Sequence, residues 1–179
     1  MDESRSGEDD QPESKTESVG YTEESLRMLK TAEGQSNAIF ACFGSAAQRA
    51  QNFEDGVAKF LVVYNQATND SLTSEDLESR NDELSRKTMG QLLHRLKKVV
   101  TFPDDTYTDY FLEALGRRNF LMHKYFLERN HMFATEASRF EALAELATME
   151  NVFNRARIAI NAMRIALCET LNIDPGENA

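Results

Sequence analysis

Two long stretches of apolar side chains at helical spacing constrain this chain more than any other feature. From Ser36 to Ala67 the apolar positions Ile39, Phe40, Phe43, Ala47, Ala50, Val57, Leu61 and Tyr64 recur every three or four residues, with too few β-branched residues for a strand. A second such run extends from a cap at Thr135, with Ser138 as the other candidate, to about Leu171 through Phe140, Leu143, Leu146, Met149, Phe153, Ile158, Met163 and Leu167. Helices of that length are stable only when their apolar stripe is packed on other helices. Shorter candidates lie between them. Ser74, Leu77 and Leu84 mark a polar helix running to about Arg86, and Thr88 caps one through Lys98 that carries Leu92, Leu93, Leu96 and Val99. A further helix is expected from about Thr108 to Ala134. Asn69 to Ser71 interrupt the pattern, and Phe102–Pro103 ends a helix because proline disfavours helical dihedrals in the residue before it. The expectation is an all-α fold: an antiparallel bundle of four to five helices.

A chain of 179 residues accommodates one folded domain with a substantial core. Residues 1–20 hold almost no large apolar side chain and are expected to form a disordered acidic tail, because they bury too little to offset the entropy of ordering. The bundle then spans 21–173, and 174–179 form a short C-terminal tail. A small helix from Thr22 to Ala32, carrying Leu26, Met28 and Leu29, precedes a break at Gly34.

Twenty Lys and Arg stand against thirty Asp and Glu, a net charge of -10. That balance excludes broad, non-specific nucleic-acid binding, which depends on phosphate neutralisation. The acidity is uneven. Residues 1–18 hold seven acids against Arg5 and Lys15, a net -5, whereas Arg86 to His131 hold nine Lys and Arg against five acids. Cys42 and Cys168 lie far apart in apolar segments and read as reduced core residues. No apolar run approaches the roughly 20 residues that span a bilayer, and no signal-peptide core is present. A cytoplasmic protein with no membrane association is expected. No cofactor motif, phosphate loop, nucleophile elbow or metal-ligand spacing occurs, so no cofactor or metal is expected.

Chemistry concentrates in the string RRNFLMHKYF from Arg117 to Phe126. On a helix turning about 100° per residue, Arg118 shares an azimuth with Phe111, Leu115, Met122, Phe126 and Phe133, and Tyr125 lies close by. Glu113, Arg117, Lys124, Glu128 and His131 form the opposite, solvated face. Asn119 and His123 are helix neighbours at a spacing of four, with Gly116 and Asn130 on the same polar seam. Arginine presents a planar cationic fork suited to phosphate, and histidine exchanges protons near neutral pH. Phosphodiester chemistry uses both. Glu54 interrupts the apolar stripe of the first long helix, where a carboxylate requires a partner, and Arg118 is the candidate.

The arrangement Arg118, Asn119, three residues, His123, one residue, Tyr125, in the later half of a helical bundle, resembles the HEPN superfamily. The resemblance implies metal-independent RNA cleavage in a composite site formed across a homodimer by two copies of the motif. It implies that His123 moves the proton of the attacking 2′-hydroxyl or of the leaving oxygen, and that Arg118 stabilises charge developing on phosphate. Asn119 would orient His123 or bind phosphate, and Glu54 would hold Arg118. Tyr125 matches the extension found in HEPN toxins paired with a nucleotidyltransferase antitoxin, which would make it an adenylylation target; a core tyrosine with a satisfied hydroxyl is the favoured alternative. The competing expectation is a non-catalytic helical interaction module, with Arg118, Asn119 and His123 in a structural network. The two differ in solvent access: catalysis requires His123 in a cleft open to phosphate.

Overall fold

The computed structural model describes residues 27, 29–68, 73–101 and 105–172. They form α1 (Ala32–Thr68), α2 (Ser74–Ser85), α3 (Met89–Val99), α4 (Asp105–His123), a single turn α5 (Tyr125–Glu128), a 3-10 turn (Asn130–Phe133) and α6 (Glu136–Leu171). No strand occurs among the described residues, and the protein is an all-α helical bundle. No helix is long and apolar enough to cross a membrane among them. The two expected tails, most of the Thr22–Ala32 helix, and the breaks at Asn69–Ser71 and Phe102–Pro103 lie outside the described residues.

Threonines set the helix starts. Thr73, Thr88 and Thr135 each accept a bond from the amide three residues on, at Asp76, Gln91 and Ser138. The side chain of that third residue accepts the threonine's own amide in return. Each pairing satisfies two donors that the first turn otherwise leaves open, and each cap stabilises its helix by about 1 kcal/mol. Ser138, the alternative cap in sequence, is thus the other half of the Thr135 box. Thr31 Oγ1 accepts the Gly34 amide at 3.0 Å. Gly34 therefore sits buried in the first turn of α1 and does not break a helix.

The long helices follow an up-down-up path. Gln35 of α1 meets Arg139 of α6, Arg49 meets Glu150, and Gly56 faces Ile160, so α1 and α6 run parallel. Between them α4 runs the other way: Phe111 stacks on Phe53 at 5.7 Å, while Phe126, just past its end, lies 4.7 Å from Phe43. Neighbours along the long-helix path are antiparallel as expected, and the parallel pair follows from their number. α2 and α3 pack on α1, with α3 also touching α4. Phe53, Phe111, Leu121, Leu146, Phe153 and Ile160 are among the side chains that fill the centre.

The expected apolar stripes hold at their centres, with Ile39, Ala50, Val57 and Leu61 buried on α1 and Leu146, Met149 and Phe153 on α6, but the buried arcs are wider than expected and bulky side chains at their edges stand out. On α1, Phe53 and Phe60 are buried while Phe40 is 54% exposed; on α6, Ala142, Val152 and Ile160 are buried while Phe140 and Ile158 stand outside. A helix contacting two neighbours buries a wide arc, and small residues occupy its closest approach while bulky ones remain at its edge. On α4 the buried set is Phe111, Ala114 and Leu121, continued by Tyr125, whereas Met122 and Phe126 remain partly exposed. The motif helix is also shorter than expected. It ends at His123, because Lys124 leaves helical dihedrals at φ -131° and ψ -20°. Beyond the break Arg129 turns back to α6, donating two bonds to Glu145 at 2.9 and 2.8 Å, and its guanidinium lies 5.1 Å from the Phe120 ring centre. These contacts hold the turn against the bundle instead of extending the helix into solvent.

Candidate functional site at the end of helix α4

Gly116, Asn119, Phe120 and His123 recur at spacings of three and four, which places them on one outward face of α4. With Lys124 and Glu128 beyond the break, they line a hollow of about 520 Å³ that opens to solvent. His123 is exposed, and no hydrogen bond to its ring is present among the described residues. Both ring nitrogens are therefore accessible to a ligand.

Arg118 lies a step round the same helix, on the side facing α1. Its Nη2 donates to Glu54 Oε2 at 3.2 Å, and the two side chains are 23% and 22% exposed. Its Nη1 donates to Asn119 Oδ1, also at 3.2 Å. The pairing of Arg118 with Glu54 answers how α1 tolerates a carboxylate in its apolar stripe: a half-buried charge is met by a counter-charge from the antiparallel neighbour. A guanidinium has five donors, so these two contacts leave others for an anion. Arg118 is not itself part of the hollow's lining. Asn119 connects the two parts, accepting from Arg118 while lining the hollow beside His123.

Tyr125 takes no part in this surface. It is 1% exposed, its hydroxyl donates to the Ala142 carbonyl at 3.3 Å, and burial pushes the hydroxyl up to about 12. Its oxygen is out of reach of a modifying enzyme in this conformation, which favours a core tyrosine with a satisfied hydroxyl over the adenylylation target that the toxin resemblance implies. Tyr125 continues the buried face of Phe111, Ala114 and Leu121 across the helix break. The same break removes Asn130 from the polar seam. Lys124 and Glu128 are exposed, as expected of the solvated face, and from there form one wall of the hollow, 3.8 Å apart. Arg117 pairs with Glu113 at 2.8 Å and is ordinary surface charge.

Elsewhere, a more apolar groove of about 590 Å³ lies between α6 and the start of α4, lined by Tyr107, Arg155, Ile158 and Met163 among others. No motif residue reaches it. Cys42 has its thiol pushed up by burial and by Glu150, so it is not a thiolate at neutral pH. Among the described residues, no three His, Cys, Asp or Glu side chains gather as metal ligands.

No protein-family model matches the chain, and neither a characterised protein nor a solved structure matches it.

Proposed function

We propose that the chain is a HEPN-like, metal-independent endoribonuclease, of the kind that acts as a toxin or defence component in the cytoplasm. Its composite site forms when two copies bring their α4 faces together. The observation that carries this reading is the placement of His123: exposed, free of hydrogen bonds among the described residues, and in an open hollow beside Asn119 and Lys124. In the proposed reaction one His123 takes the proton of a ribose 2′-hydroxyl, whose oxygen attacks the adjacent phosphorus. His123 of the second copy gives a proton to the departing 5′-oxygen, leaving a 2′,3′-cyclic phosphate and a free 5′-hydroxyl. Arg118, oriented by Glu54, stabilises the charge that develops on the phosphoryl oxygens. A nucleotidyltransferase antitoxin acting on Tyr125 is not part of the proposal, because the Tyr125 oxygen is buried.

One observation favours the competing reading, a non-catalytic module. The Arg118 guanidinium is already held by Glu54 and Asn119, as a structural network requires. The two readings separate on His123→Ala. Purified protein and variant are incubated in chelator with a mixed pool of structured and single-stranded RNA, and products are examined for 2′,3′-cyclic phosphate ends. The nuclease reading expects cleavage that falls at least about a hundredfold in the variant, the usual loss for a positioned acid–base group, with unfolding unchanged. Absence of cleavage by the parent, with unchanged folding of both, favours the module.

A further inference from the structure

Beyond Gly34 in the first turn of α1, four glycines lie inside the described helices, and a Cβ placed on each distinguishes their roles. At Gly56 it would meet Ile160 Cγ2 at 2.9 Å, so that glycine serves helix packing. At Gly116, inside α4 and exposed, it would meet nothing within 4 Å. Neither packing nor a left-handed dihedral demands glycine there, and glycine is unfavourable in a helix interior relative to alanine. Gly44 and Gly90 are equally unhindered, but of the three only Gly116 lines the hollow that holds Asn119 and His123.

We propose that Gly116 is a clearance residue, which keeps the floor of the hollow at backbone level so that a phosphodiester of single-stranded RNA can lie against α4. The inference rests on the ribonuclease reading and names how that site takes its substrate. With no side chain on Gly116, a phosphate passes over the helix backbone to Asn119 and His123, and Lys124, 65% exposed at the rim, supplies its counter-charge. Phe120, the one large apolar side chain of the lining, is held by Arg129 and offers an edge for an adjoining base. In the composite site the second copy faces this hollow across the substrate; direct packing of its helix into the hollow is the other occupancy that a glycine admits. The lining argues against it, since Asn119, His123, Lys124 and Glu128 are polar or charged and the centres of protein interfaces are depleted in charge.

The test uses the full chain and a fluorescein-labelled, randomised single-stranded 12-mer that is 2′-O-methylated, so that it lacks the nucleophile and binds without being cut. Gly116→Ala and Gly116→Leu are compared with Gly44→Ala as control, reading anisotropy, thermal unfolding and sedimentation. The expected result is that both alanine variants unfold at or above the parent's temperature. Gly44→Ala binds as the parent does, Gly116→Ala binds more weakly, and Gly116→Leu loses at least about tenfold in affinity, equivalent to about 1.4 kcal/mol. Binding by Gly116→Leu equal to the parent's overturns the proposal, even if both cleave unmodified RNA and the ribonuclease reading stands. A folded Gly116→Leu that loses self-association instead of RNA assigns the hollow to a second copy and also overturns it. Loss of binding in a chain whose parent binds but never cleaves keeps the clearance role and discards the nuclease. A parent that does not bind the probe overturns the clearance role, and the cleavage assay with the mixed RNA pool decides the ribonuclease reading separately.

Discussion

Burial gives Tyr125 a pH signature that its exposed neighbours lack. In the unfolded chain its hydroxyl ionises near 10, whereas in the bundle burial raises that to about 12. The folded-state value is the higher one, so the contribution to stability is complete below pH 10 and is lost as pH rises towards 12. The slope is about 1.4 kcal/mol per pH unit for one group. Denaturant midpoints measured between pH 8 and 11.5 are expected to fall on the alkaline limb, and Tyr125→Phe to flatten that limb. The same variant is expected to lose about 1 kcal/mol at pH 8 from the missing bond to Ala142. Parallel alkaline limbs in parent and variant would show that another group carries the dependence. At this scale the sequence was informative where one residue sufficed. The isolated carboxylate Glu54 in an apolar stripe pointed to Arg118, and the two side chains meet. The outward position of Lys124 and the inward one of Tyr125 followed from the helical azimuth, whereas the departure of Asn130 from the polar seam was not legible, because it depends on the dihedrals of Lys124, which no periodicity encodes.

Two helix starts were legible, since Thr88 and Thr135 announce themselves by a side chain that competes for its own backbone, whereas Thr73 was passed over for its neighbour Ser74. Helix ends and packing faces were less so. The α4 stop at His123 is imposed by tertiary contacts of Arg129, and the buried arc of α6 is set by which neighbours it touches. Gly56 illustrates the second point. In sequence it is a helical glycine of no evident purpose, and in the bundle it lets α6 approach α1. Gly56→Ala gains about 0.5–1 kcal/mol of helix propensity but meets a stiff, buried β-branched side chain, and overpacking costs about 1–3 kcal/mol. Net destabilisation of about 1 kcal/mol is expected by urea unfolding, whereas Gly44→Ala, which meets nothing, goes the other way. Stabilisation of both variants to the same degree would show that the two helices move apart freely.

Taken whole, the molecule is an acid whose candidate site carries little net positive charge. Its net charge is -10, and the hollow offers one lysine beside a histidine and a glutamate. If it binds RNA as proposed, few phosphates are neutralised, and the logarithm of affinity against that of salt is expected to fall with a slope of only about -0.7 to -1.4, one or two contacts on a single strand. A slope of -4 or steeper would place the strand on the basic residues of α3. The bundle has a further property that arises from its chain order. The two helices that share the longest seam are the first and last complete ones described, α1 ending at Thr68 and α6 at Leu171, with 171 - 68 = 103 residues between those ends. During synthesis at roughly 5–20 residues per second, the apolar face of α1 waits about 5–20 seconds for its partner. The flank of α1 that receives α6, where Gly56 faces Ile160, is thus uncovered for that interval, even though α2, α3 and α4 emerge sooner to cover its other sides.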